Sequence, residues 1–212
     1  MNTFAFIGGI WLSLLYSAMV MPASVWSVQL TVSRSWQSGF TASLGLAFGQ
    51  LPWVLFASLI LFQNARAWQN IDLPLRFAGA AFLIWMTYRC FGSGQVLSLK
   101  AKAPAQLQTI FHVAFWRSFA MPWRLALWAV LIISIGIHLR GPGWHAALAF
   151  TAGSFFGQLL WLLHFAFLAA IFGHRVAEAV SIRSLNKLRL LATTVSFGLA
   201  LIILAPVAFP PA

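Results

Sequence analysis

An all-α integral membrane protein is expected, with six transmembrane helices arranged as two inverted three-helix repeats. Three observations predict it: long uncharged apolar stretches separated by short basic connections, a hexapeptide written twice, and a Met-Pro pair recurring in two spans. Hydrophobic residues make up 61% of the 212 and charged residues only 7%, against about 25% charged in a soluble domain. Asp72 and Glu178 are the only acidic side chains.

A transmembrane helix needs roughly 20 apolar residues to cross about 30 Å of hydrocarbon. Windows of that size give six spans, about 4–28, 39–62, 74–91, 111–138, 145–172 and 188–206. Barrel strands would alternate apolar and polar positions over about ten residues, and these stretches are continuously apolar and longer. The start, "MNTFAFIGGIWLSLLYSAMVMPA", has no basic n-region. Its apolar run exceeds a signal-peptide core, so the first segment is expected to remain as a helix.

With six crossings, the connections after spans one, three and five share a side. They hold Arg34, Arg89, Lys100, Lys102, Arg175, Arg183, Lys187 and Arg189, against Arg66, Arg76 and Arg140 opposite. That positive-inside bias places both termini outside the cytoplasm. The net charge of +11 is thereby explained by topology and by contact with anionic lipid on the cytoplasmic side, and nucleic acid is not an expected partner. Cys90 is the one cysteine, so no intramolecular disulfide is expected. No metal-ligand spacing, cofactor motif, or acid–His or Cys–His pairing suggests an enzyme.

"FGQLPW" at 48–53 returns as "FGQLLW" at 156–161. Each copy follows a Gly-xxx-Gly pair, Gly45/Gly49 and Gly153/Gly157. "MP" occurs at 21–22 and 121–122, and "LR" at 75–76 and 188–189. The halves therefore read as repeats, about 1–92 and 108–206, joined by a cytoplasmic linker at about 93–107 within one transmembrane domain. An odd number of crossings makes the repeat inverted, an arrangement whose solute site lies near the midplane of secondary transporters.

The candidate solute-binding residues follow from cost. A carboxamide in hydrocarbon costs several kcal/mol unless hydrogen-bonded, so Gln50 and Gln158 either tie helices together or line a wet cavity. Trp53 and Trp161 follow them by three residues on the same faces and can line that cavity. Pro22 and Pro122 lack an N–H, so the first and fourth helices are expected to break there, freeing the carbonyls of Ala18 and Ser118. Irregular backbone at membrane depth is tolerated where it is buried or lines a cavity. Arg124 lies deep, ~24 Å from the outer boundary when counted back from Arg140, with no acidic residue in any span to pair with. It must take carbonyls, the glutamines, water, lipid phosphate or a solute carboxylate. Arg117, nearer the cytoplasmic end, is expected to snorkel to the interface. His164, the one mid-span histidine, is a packing residue or a proton relay.

The segments "SAMVMPASVW", "SRSWQSGFTASLGLAFGQ", "LRFAGAAFLIWMTYRCF" and "FWRSFAMPWRLALW" resemble the lysine exporter family of small bacterial amino-acid exporters, which includes homoserine and threonine exporters. The likeness covers about 15–205. Family members commonly carry Pro-Gly-Pro in the first helix and Asn-Pro-Lys in the fourth. Met21-Pro22-Ala23 and Met121-Pro122-Trp123 stand here, so only the prolines carry over. The resemblance implies export of amino acids or similar small solutes across the inner membrane. A non-transporting membrane subunit that scaffolds a partner is the alternative, and a homo-oligomer is an option.

Overall fold

The computed structural model describes residues 2–19, 21–64, 74, 77–82, 84–85, 88, 106–136, 143–179, 194 and 198. Six helices carry most of them: α1 (Thr3–Met19), α2 (Met21–Ser33), α3 (Trp36–Gln63), α4 (Leu107–Phe119), α5 (Trp123–Ile135) and α6 (Trp144–Ala179). No strand occurs among the described residues. The expected third span is described only in part and the sixth only at Thr194 and Gly198. Asp72, Cys90 and nearly all of the linker lie outside the described residues.

α3 and the Trp144–Ile171 portion of α6 are each 28 residues long and apolar enough to span a membrane. At 1.5 Å per residue each reaches roughly 42 Å. α3 begins where Ser35, extended at φ −167°, accepts a hydrogen bond from the Ser38 N–H at 3.3 Å. That side-chain oxygen satisfies one of the orphan donors of the first turn. α5 ends at Gly136, whose left-handed φ of 63° lets its N–H bond the Ile133 carbonyl at 2.9 Å.

Several polar side chains are buried beside the apolar core, and many large apolar ones face outward. Gln50, Ser58 and Ser118 are fully buried, whereas Trp11 and Phe167 are each 65% exposed. Water would drive the opposite arrangement; lipid permits this one. With no hydrophobic drive between helices, close backbone packing must hold the bundle, and the duplicated glycines supply it.

A Cβ on Gly45 would lie 2.6 Å from both the Phe111 carbonyl oxygen and Ala114 Cβ, and one on Gly49 would lie 2.7 Å from Ser118 Cβ. Both contacts are with α4. On the other side, a Cβ on Gly157 would lie 2.6 Å from the Ile10 carbonyl oxygen of α1, and one on Gly153 would strike the Phe6 carbonyl. The pairs are thus exchanged along the chain: the pair on α3 closes on α4, and the pair on α6 closes on α1. α3 and α6 meet in turn through Ser58 Oγ and Thr151 Oγ1, 3.1 Å apart, and through the Phe62–Phe150 ring pair at 5.6 Å.

The prolines do not share this register. Gly49 faces Ser118 and Gly157 faces Ser13, so Pro122 follows its marker serine by four residues and Pro22 by nine. The recurrence of Met-Pro is a likeness of residues rather than of depth. Pro22 lies in the first turn of α2, with helical backbone from Met21 onward; Val20, immediately before, is outside the described residues. The interruption at Pro122 is plain, since α4 stops at Phe119 and α5 starts at Trp123.

Candidate functional site

The gap between α4 and α5 consists of Ala120, Met121 and Pro122. Pro122 has no N–H to offer the Ser118 carbonyl, and the chain restarts with the Arg124 and Leu125 N–H groups bonding Met121 O and Pro122 O at 3.1 and 3.0 Å. The Phe119 carbonyl, left at the end of α4, accepts a hydrogen bond from Trp53 Nε1 of α3 at 2.9 Å. The same indole stacks on the Phe119 ring at 5.6 Å. Trp53 therefore splints the break, satisfying a carbonyl that hydrocarbon could not.

Arg124 is the second residue of α5 and only 2% exposed. Its Nη1 group donates to Ser118 Oγ, and that hydroxyl donates to the Leu46 carbonyl of α3 at 2.8 Å. Arg124 Nε has no partner. One turn further along α5, Trp128 stacks on Tyr16 of α1, with centroids 4.7 Å apart and planes 18° from parallel. Both rings are fully buried. Tyr16 Oη, Ser17 Oγ and Trp128 Nε1 are buried without partners.

Gln50 adjoins this group. On α3 it stands four residues after Leu46, which holds Ser118, and three before Trp53, which holds Phe119. It therefore shares the face turned toward the break. It is 0% exposed, and neither carboxamide atom has a partner. Gln158 follows Gly157, whose own face meets Ser13 of α1; it is buried and its Oε1 has no partner. α3 and α6 run antiparallel; the pairs Ser58–Thr151 and Phe48–Phe155 bracket Gln50, and Gln158 lies three residues beyond Phe155. The two glutamines therefore stand within about one to two turns of each other in level.

Unpartnered polar atoms each cost about 1–3 kcal/mol when buried. A concentration of them in a fold this apolar marks a place that water or a ligand fills. Donors gather at Arg124, Tyr16 and Trp128, acceptors at the two glutamines.

The remaining candidates are placed differently. Trp161 packs beside Trp26, Leu30 and Leu162 and borders an open groove of about 560 Å³ with Leu14, His164 and Phe167; its indole nitrogen is buried and unpartnered. His164 is exposed, edge-on to Phe165. Pro22's side chain lies outside the described residues. Arg117 is exposed and sits 5.1 Å from the centroid of the Trp26 ring, a cation–π contact consistent with a stem lying along the bundle. Among the described residues no group of three His, Cys, Asp or Glu could hold a metal.

Tyr16, Ser17 and Trp128 were not among the residues singled out from the sequence. A tyrosine in mid-span, in "LLYSA", was the available signal, since its hydroxyl needs a partner at that depth.

The family model for LysE type translocators matches residues 14–205. The chain belongs to the LysE type translocator family. No curated protein and no solved structure matches it. The match confirms the resemblance drawn from the proline-bearing and glycine-bearing segments. It also makes the chain a membrane protein of a transporter family, with a small solute as its partner. In this LysE type translocator, the Arg124 group gathers several buried polar atoms that have no partner.

Proposed function

We propose that this LysE type translocator exports amino acids or closely related small solutes across the bacterial inner membrane by alternating access between two inverted three-helix halves. Both termini then lie outside the cytoplasm, and the linker faces anionic lipid within. The observation that carries the reading is the set of buried, unpartnered polar atoms around Arg124, where the α4–α5 break meets α1 and α3.

An α-amino acid carries what these atoms lack. Its carboxylate suits the guanidinium fork of Arg124, with the Tyr16 hydroxyl and the Trp128 indole N–H as further donors. Its ammonium suits the carboxamide oxygens of Gln50 and Gln158. Pro122 opens the backbone beside the solute and Trp53 keeps that opening from collapsing. Pro22 gives the leading helix of the first half a second place to bend, and Trp161 borders the route along α6. The exchanged glycine pairs supply two close seams between the halves, along which they rock.

The test is efflux of labelled amino acids from proteoliposomes containing the purified chain. Solute should leave wild-type vesicles in a saturable manner. Gln50→Leu combined with Gln158→Leu should abolish efflux while membrane insertion stays intact, because neither Gln50 nor the Gln158 oxygen has a hydrogen bond to lose. Undiminished efflux in the double variant refutes the site.

A further inference from the structure

We propose that the buried, unpartnered donors at Arg124 also bind a small monovalent inorganic anion of the size of chloride, which occupies the site whenever no solute carboxylate does. The competition rests on the function proposed above; the anion site itself does not.

Charge is the first argument. A guanidinium does not lose its proton in a protein, and Arg124 is 2% exposed. Among the described residues its one hydrogen-bond partner, Ser118 Oγ, is neutral and already engaged with Leu46 O. The one acid among the described residues is Glu178, roughly 30 Å along α6 from the level of Gln158. Water can satisfy hydrogen bonds here but leaves a buried positive charge uncompensated, whereas an anion answers both needs.

The second argument is the polarity of the surrounding orphans. Arg124 Nε, Tyr16 Oη and Trp128 Nε1 are all buried without partners, and all three can donate. Tyr16 is stacked on Trp128, which stands one helical turn from Arg124 on α5. Arg124 further stands at the start of the 13-residue α5, where the helix dipole adds positive potential.

The third argument concerns the cycle. Once a carrier has released its solute, its empty form must reorient through hydrocarbon. With a solute carboxylate gone, Arg124 would make that step bare. An exchangeable anion removes the difficulty and leaves the site electrically closed in every state.

The experiment is equilibrium dialysis of the purified full-length chain in mild detergent against radiolabelled chloride, in MOPS buffer free of other small anions. Saturable binding approaching one chloride per chain is expected. Arg124→Gln should abolish it and Arg117→Gln should not, since Arg117 is exposed against Trp26. Tyr16→Phe keeps the ring stacked on Trp128 and removes one donor to a charged ligand, which weakens binding by about ten-fold. It decides the matter should Arg124→Gln fail to fold.

Absence of saturable chloride binding in the wild type, binding that survives in Arg124→Gln, or unaltered affinity in Tyr16→Phe would each overturn the proposal. Displacement of bound chloride by millimolar zwitterionic amino acid supports a shared site. Chloride binding that no amino acid displaces leaves the anion site standing and removes Arg124 from the solute's path. Amino-acid efflux without any chloride binding does the reverse.

Discussion

Replacing Gly49 with alanine tests the packing on which the candidate site depends. The added Cβ would stand 2.7 Å from Ser118 Cβ and against the Phe115 carbonyl, whereas carbon atoms settle at about 3.5–4.0 Å. α3 and α4 must then separate by roughly 1 Å at that level. Two hydrogen bonds cross the seam there, Ser118 Oγ to Leu46 O at 2.8 Å and Trp53 Nε1 to Phe119 O at 2.9 Å. A 1 Å opening takes both beyond useful length. Each is worth about 0.5–1.5 kcal/mol, and overpacking of a filled core adds about 1–3 kcal/mol, so the loss should be about 2–6 kcal/mol. Gly157→Ala meets the Ile10 backbone of α1 in the same manner and should cost a similar amount. Ala152→Val, on an exposed position of α6, is the control and should cost little. Unfolding in detergent, followed by denaturant titration, measures all three. If Gly49→Ala and Gly157→Ala are as stable as the control, the exchanged seams do not hold the bundle and the reasoning fails.

Three further outcomes can be checked alongside. Trp53→Phe retains an aromatic ring against Phe119 but strips the Phe119 carbonyl of its donor; stability should fall by about 1–3 kcal/mol, seen in the same titration. Arg117→Gln should lower stability by no more than about 1 kcal/mol, the value of an exposed cation–π contact, and leave efflux at the wild-type rate. A cysteine introduced at Asn2, in a Cys90→Ser background, should react with a membrane-impermeant maleimide in intact cells; protection there with labelling only after lysis would reverse the assigned topology.

Much of this was legible in the sequence because lipid imposes a short list of costs. An uncharged run of sufficient length must be helical, so the limits expected for the second and fifth spans differ from α3 and α6 by at most seven residues. A glutamine in such a run must find company, so Gln50 and Gln158 stood out, and both are buried. What could not be read was which surface each feature meets. Gly-xxx-Gly announces close approach, but the exchange that sends Gly49 to α4 and Gly157 to α1 is a property of the assembled bundle. Trp53 was expected on a cavity wall, and its indole donates to Phe119 O. Pro122 leaves the end of α4 short of donors, and an indole N–H within reach takes the carbonyl that hydrocarbon cannot. Tyr16 and Trp128 were hidden for another reason. Aromatic residues abound here as lipid-facing bulk, and only the stacking at 4.7 Å beside a buried arginine sets these two apart.

The halves share a packing scheme without sharing chemistry. Setting Ser118 against Ser13 through their glycine partners places Met19 where the second half has Arg124, and Ser17 where it has Pro122. Neither Arg124 nor Pro122 therefore has a like residue at the matching position of the first segment, while both segments keep a glutamine one residue beyond the second glycine. A solute held here meets a positive charge from one side and carboxamides from both, so its carboxylate has one place to go and its ammonium has two. In the alternating-access cycle proposed above, the two seams would let the halves exchange conformations, and the lone Arg124 would hold the same end of the solute throughout. On that proposal a zwitterion follows the site across the bilayer without turning over, and a solute with a cationic side chain finds no carboxylate to neutralise it in the expected spans.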